Sequence, residues 1–389
     1  MSFRGLAVTL LQNNAEETVP QAQPPFRAEH IGSLLRPKSL LDLRAKRSDG
    51  NVAADVLATS ENDAIATAID LQERVGLKLA TDGEFRRRSY HSFFYSQLGD
   101  LSIDTVAGED AKGGNAGHRG AQPVALINSR VHWTKPINVG DFTFLKTHTS
   151  LLPKITIPGP CALHFRGGDA AVLASAYRDL DQFWDDIVEA FGRELTALAD
   201  AGCRYIQVDE TAFAKFGDPE VQAALKARGD DWSCLIDKYI AVTNRVLKNA
   251  PATLHIGMHL CRGNRGGQWH SEGSYDVVAD RLFNALNIPF YFLEYDSPRA
   301  GTFTPLRLVP SHKSVVLGLV STKSAALEDK DTLKKRLDEA ARFVDLDRLA
   351  VSPQCGFASV ETGNPISAEV EEQKLRLVVD LARDVWGTA

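Results

Sequence analysis

Residues 252–261 read ATLHIGMHLC and run straight into RGNRGGQW (262–269). Ten residues, mostly apolar, end in a histidine and a cysteine and then give way to glycine and charge. That is how a buried strand looks when its C-terminal end meets a polar turn. In a strand, side chains at i and i+2 share a face. His259 and Cys261 are so spaced, and both would aim at one point.

The same kind of unit recurs along the chain. FRAEHIGS (26–33), LKLATDGE (77–84), KITIPGP (154–160), RYIQVDE (204–210), FYFLEYD (290–296), SVVLGLVS (314–321) and LAVSPQCG (349–356) are β-rich runs with polar or glycine-containing ends. With 252–261 they make eight. Amphipathic stretches at 60–75, 171–201, 231–249, 273–286, 325–343 and 367–386 separate most of them. In the last, Val370, Leu375, Leu377, Val378, Leu381 and Val385 build one apolar face. Strands alternating with helices pair in parallel through right-handed crossovers. Eight such units predict an α/β fold, a (β/α)8 TIM barrel. A doubly wound sheet would carry a glycine-rich turn after an early strand, and no G-x-G-x-x-G occurs.

A single barrel domain is expected over 25–389, with residues 1–24 as an N-terminal arm. The segment from 85 to 153, after the second strand, is too long for a simple connection. It reads as an insertion covering the barrel mouth, with a hairpin expected in NSRVHWTKPINVGDFTFLKT (128–147) around VGD.

A net charge of −6 carries no basic signature of a nucleic-acid binder. No apolar run approaches the roughly 20 residues that span a bilayer, so neither nucleic acid nor membrane is an expected partner. Five cysteines, an odd and sparse set, argue against a disulfide framework and for a reducing, cytoplasmic setting. A homo-oligomer is compatible with all of this.

A barrel gathers its chemistry at the C-terminal ends of its strands. The run ends hold Ser33, Asp82, Glu84, Asp209, Glu210, His259, Cys261, Glu294, Ser321 and Cys355. His259, Cys261, Glu294 and Cys355 form the coherent subset: one imidazole, two thiolates and one carboxylate make a tetrahedral Zn2+ set. Three anionic ligands leave the ion electron-rich. Such a site suits capture of a thiol whose sulfur stays nucleophilic, with the carboxylate as the ligand that yields. Cys161, Cys203 and Cys234 read as small buried hydrophobes.

Further groups flank this set. EFRRRSY (84–90) puts Arg86 where it could clamp an anion. Arg262 and Asn264, with Arg265, fall in the glycine loop beside the metal set. Lys323 could serve as a general acid or base if desolvated. Trp133 and Trp269 could stack on a ring or fill core.

Together these segments resemble the catalytic C-terminal barrel of cobalamin-independent methionine synthase, over most of residues 26–386. HIGS (30–33) is similar to the loop that holds homocysteine, which implies substrate contacts from Ile31, Gly32 and Ser33. DGE (82–84) and IQVDE (206–210) imply amino-acid binding by Glu84 and Asp209. HLC, FLE and PQCG resemble the zinc-ligand segments, and Arg130 resembles a basic residue of the folate-facing loop. Ser321 stands at about the position of the family's proton-donating histidine. Arg166 lies near the place of its pterin-stacking tryptophan, and Lys215 at that of a folate-binding glutamate. The resemblance thus implies a zinc-dependent methyl or alkyl transferase acting on a small thiol and an alkyl donor. The altered folate face leaves a zinc hydrolase or lyase, or an epoxide–thiol transferase, as alternatives.

Overall fold

The computed structural model describes residues 24–106 and 122–389. The expected N-terminal arm therefore lies, up to residue 23, outside the described residues. Among the described residues there are nine strands: β1 (Leu79–Ala80), β2 (Ile103–Val106), β3 (Gln122–Ala125), β4 (Leu152–Pro158), β5 (Tyr205–Asp209), β6 (His255–Leu260), β7 (Phe290–Glu294), β8 (Ser314–Val320) and β9 (Leu349–Pro353). Seven of them form one parallel sheet in the order β1-β4-β5-β6-β7-β8-β9.

The first predicted run, 26–33, supplies the eighth stave without being a regular strand. Ala28 bridges Val351 of β9 in parallel, with Glu29 N donating to Val351 O and Val351 N to Arg27 O, both at 2.9 Å. On its other side the Thr81 hydroxyl donates to Gly32 O at 2.7 Å, and Leu34 N to Gly83 O at 3.1 Å. The run thus joins β9 to β1 and closes the TIM barrel.

Parity along the strands explains why both faces are apolar. In β7, Phe290 and Phe292 point into the barrel beside Tyr205, Leu79, Val316 and Ala350. Tyr291 and Leu293 point out, into the larger core shared with the helices. Gly257 is dictated by this filling: a Cβ there would meet the Phe290 ring at 2.1 Å. His259 has the same parity as Gly257, so it too points inward, one step nearer the mouth.

Below the mouth the interior turns polar. Lys154 Nζ reaches Glu29 Oε2 at 3.2 Å and Gln207 Oε1 at 3.1 Å. Gln207 Nε2 donates to Ile31 O and to Asp209 Oδ1, each at 2.7 Å. Buried polar groups persist when every member is paired, and this chain of contacts leads directly to Asp209.

The helices follow the expected stretches, with Lys38–Ser48 and Pro219–Arg228 in addition, and with two further differences. The stretch 171–201 is broken: helices Ala162–Leu173 and Leu180–Asp200 are separate, because Asp179 caps the second by accepting from Gln182 N at 2.8 Å. The expected hairpin over 128–147 is not formed. Val139–His148 is a helix, and the hairpin of the insertion is β2 with β3, whose Ile103 faces Ala125. Apolar residues at Phe142 and Leu145 are buried; their three-residue spacing is the helical period that the strand reading overlooked. No described helix is long and apolar enough to cross a membrane.

Candidate functional site

The mouth of the barrel holds a pocket of about 650 Å³, its opening included. Strand ends and the loops after them line it: Ile31 and Ser33, Glu84, Asp209, His259 with Cys261 and Asn264, and Cys355 with Gly356. The ligand atoms of His259, Cys261 and Cys355 all lie within 4.8 Å of one another, and the two sulfurs are 3.7 Å apart. These side chains come from β6, the residue just beyond it, and the turn after β9.

The donor set fits a soft divalent cation. All three residues are at most 4% exposed. His259 Nδ1 sits 2.9 Å from Asp209 Oδ1, which fixes the ring as carboxylate–histidine–metal triads do; Nε2, now 3.4 Å from Gln354 O, is the nitrogen an ion would take. Burial pushes the His259 imidazole down, but Asp209 and Cys355, through hydrogen bonds and charge, outweigh it and hold it at about 10. Contact with Cys261, then burial, pushes the Cys355 thiol well above its ordinary value. Two thiols in contact are costly to ionise together, and a divalent ion held between them would relieve that cost.

Glu294 is not brought into this group. It is buried at the end of β7, but Oε2 accepts from Arg262 N at 2.7 Å and Oε1 pairs with Arg299. Burial works to raise its carboxyl, while the charges of Lys323, Arg262 and Arg299 hold it below the usual carboxylate value. Arg262 itself is a clamp between loops, with Nε on Gly273 O at 2.7 Å and Nη1 on Glu294 O at 3.1 Å.

The expected amino-acid contacts cluster beside the thiols. Glu84 has a positive φ of 60°, which a non-glycine residue adopts at a cost. Asp82 Oδ1 holds its N–H at 2.9 Å and Thr156 Oγ1 donates to Oε1 at 2.7 Å. Burial raises the Glu84 carboxyl against the pull of Arg87. Ser33 Oγ accepts from Ala358 N at 3.3 Å. Gly356 permits this approach, since a Cβ there would sit 1.9 Å from Ser33 Oγ. Asn264 donates to Gly356 O at 2.8 Å, and its Oδ1 is buried with no hydrogen-bond partner.

Other expected residues go elsewhere. Arg86 turns from the pocket to Asn62 (2.5 Å) and Asp141 (3.6 Å), over the Phe144 ring. Arg130 makes a two-pronged pair with Asp186 at 2.8 and 3.0 Å on the surface. Neither Ser321 nor Lys323 lines the pocket. Ser321 N donates to Glu328 at 2.8 Å, and Lys323 Nζ is buried without a hydrogen-bond partner. Trp133 Nε1 bonds Glu194 at 2.9 Å, and Trp269 packs on Arg299. Of the remaining cysteines, Cys161 and Cys203 are buried as expected, but Cys234 is exposed; it opens a helix on which Asp231 is the cap.

Residues the sequence left unassigned also face the cavity: Tyr90, Thr211, His270 and Ser359. His270 had a signal in the glycines before it. A Cβ on Gly263 would meet its ring at 2.8 Å, so the loop is folded back on itself to deliver the imidazole.

The family model for the cobalamin-independent synthase catalytic domain matches residues 26–384. The chain is 37% identical over 373 residues to the protein YxjH of Bacillus subtilis, covering 95% of this chain and 97% of that one. It is 24% identical over 328 residues to the methionine synthase of Pyrococcus horikoshii, covering 84% and 85%. Among solved structures, a putative vitamin-B12-independent methionine synthase from Listeria monocytogenes superposes with a TM-score of 0.70 at 33% identity, covering 93% of this chain and 98% of that one. With a family model spanning nearly the whole barrel and its mouth residues, the chain belongs to the cobalamin-independent synthase catalytic-domain family.

Proposed function

We propose that this chain is a zinc-dependent methyl or alkyl transferase whose acceptor is a small amino-acid thiol such as homocysteine. The observation that carries this reading is the meeting of His259, Cys261 and Cys355 at the floor of a pocket that also holds Glu84, Asp209 and Ser33. An ion held by those three residues supplies a place where a thiol is bound as its more nucleophilic thiolate. Glu294 is the expected fourth donor, and taking that place would require exchange of its Arg299 partner.

The chain's own residues do the positioning. Glu84 and Asp209 offer carboxylates to an ammonium, and the Ser33 hydroxyl and the backbone of 31–33 receive a carboxylate. Asn264 Oδ1 offers a further acceptor. With the amino acid fixed at both ends, its sulfur meets the donor carbon in one orientation, so proximity contributes much of the acceleration. The S–C bond forms as the bond from that carbon to its leaving group breaks, and the leaving group keeps the electron pair.

Replacement of Cys261 or Cys355 by alanine should remove most bound zinc and thiol-dependent turnover together. Retention of both in either variant would defeat the proposal. A hydrolase or lyase on the same donors would instead turn over without any thiol.

A further inference from the structure

Glu84 and Asp209, two carboxylates that line the pocket, are each backed by a buried cation that reaches them through one neutral side chain. Arg87 Nη1 stops 3.8 Å from Glu84 Oε1, too far for a hydrogen bond. The Thr156 hydroxyl fills the step between. It accepts from Arg87 Nη1 at 2.9 Å and donates to Glu84 Oε1 at 2.7 Å. On the neighbouring strand Lys154 Nζ donates to Gln207 Oε1 at 3.1 Å, and Gln207 Nε2 donates to Asp209 Oδ1 at 2.7 Å.

The sheet builds both relays at one level. Ile155 and Ile157 of β4 belong to the outer core, so Thr156 between them points into the barrel. Its register partner on β5 is Gln207. The direction of the first relay is fixed by chemistry. A guanidinium accepts no hydrogen bond, so the Thr156 hydroxyl must turn its single proton to Glu84. Burial works to push the Arg87 guanidinium down, but the charges of Glu84, Asp82 and Asp141 outweigh it. Its Nε and Nη2 are buried with no hydrogen-bond partner, so what Arg87 supplies to this corner is chiefly charge.

A cation paired directly with Glu84 would compete with a ligand's ammonium for the same oxygens. A cation held one hydroxyl away favours the carboxylate's charge and engages Oε1 only, through Thr156. We infer that Thr156, with Arg87 behind it, is a positioning residue for acceptor selection: it orients Glu84 so that the other oxygen meets the ammonium of an α-amino thiol. This rests on the proposed function, in which Glu84 receives that ammonium. Gly32 ties the relay to the opposite end of the acceptor. A Cβ there would sit 2.6 Å from Thr156 Cγ2 and 3.1 Å from Glu84 Oε1. Glycine therefore lets the loop that receives the acceptor's carboxylate lie against the pair.

Spectral titration of the cobalt-substituted protein with homocysteine and with γ-mercaptobutyrate, the same thiol acid without the amino group, tests the inference. The parent should bind homocysteine more tightly by about ten-fold or more. Thr156→Val keeps the side chain's shape and removes the hydroxyl. It should weaken homocysteine by about ten-fold or more while γ-mercaptobutyrate stays within a few-fold, so the preference collapses. Thr156→Ser should restore the preference, and Arg87→Gln should lose it as Thr156→Val does. A merely structural role would move both thiols together. If the parent shows no preference, or if Thr156→Val and Arg87→Gln both retain it or weaken the two thiols alike, the inference is overturned and the thiol reading stands. A spectrum that answers to neither thiol in the parent would sink the thiol reading, and the inference with it.

Discussion

His259 can serve as a metal ligand through Nε2 only while something fixes its other nitrogen, and Asp209 does this at 2.9 Å. Asp209 is in turn held by Gln207 at 2.7 Å, so the ring's orientation is inherited from the polar layer inside the barrel. Asp209→Ala should therefore weaken zinc binding by about 10–100-fold, measured by competition with a chromogenic chelator, although the residue touches no donor sulfur. Unchanged affinity would mean that packing alone orients the imidazole. At this scale the sequence was legible where spacing carries the information. His259 and Cys261 follow from strand parity, and Cys355 from its place at a run end. It was illegible where the decision belongs to a partner that periodicity does not reveal. The spacing of the strand does not announce that Arg299, five residues on, takes one oxygen of Glu294, and nothing in EFRRRSY tells which guanidinium faces the cavity. The structure sends Arg86 to Asp141, Arg87 to Thr156 and Arg88 to Ser48. Those partners lie 40 or more residues away in sequence for each contact, beyond any periodicity argument.

Elements were read well where their burial is regular and poorly where it is not. Seven of the eight runs became strands of one sheet because their alternating faces are both apolar. The eighth, 26–33, is held by isolated contacts, since it leaves strand geometry at Gly32, φ 128°, while Ile31 and Ser33 on either side line the pocket. The last helix, Ala368–Trp386, supports that loop directly: Glu371 accepts from Leu35 N at 2.8 Å. Burial lifts the Glu371 carboxyl to about 8, against the opposing hydrogen bond from Leu35. Its reference value is 4.5, so between pH 4.5 and 8 the folded state binds the proton that the unfolded state has released. Stability contributed by this group is complete below pH 4.5 and is lost as pH rises toward 8. Glu371→Gln keeps an acceptor and carries no charge. Its melting temperature should exceed the parent's by on the order of 2–5 °C at pH 8 and match it near pH 4; equal melting at both pH values would show that the carboxyl is not desolvated as the packing implies.

The whole molecule places a small, ion-sized group of donors on top of a large, self-sufficient core. An inner cluster around Phe290, Phe292 and Tyr205 fills the barrel, and an outer one joins the strands to the helices. Neither depends on the residues that would hold zinc. Barrel closure was predictable from eight repeated units, whereas the folding of the insertion was not, because its hairpin pairs Ile103 with Ala125 across a long sequence gap. A chain of 389 residues buries enough apolar surface to fold without a metal staple. This sets apart an exchangeable catalytic ion from a structural one. Dialysis against a chelator should abolish transfer activity yet leave the far-UV circular dichroism and a cooperative melt in place. The loss of stability is limited to the linkage term, about 4 kcal/mol for an ion present at a thousand times its dissociation constant, and added zinc should restore activity without a refolding step. A chelated chain that instead loses its helical signal would make the ion a structural element joining β6 to the turn after β9, and a site so committed to holding the fold could not open a position for an incoming sulfur.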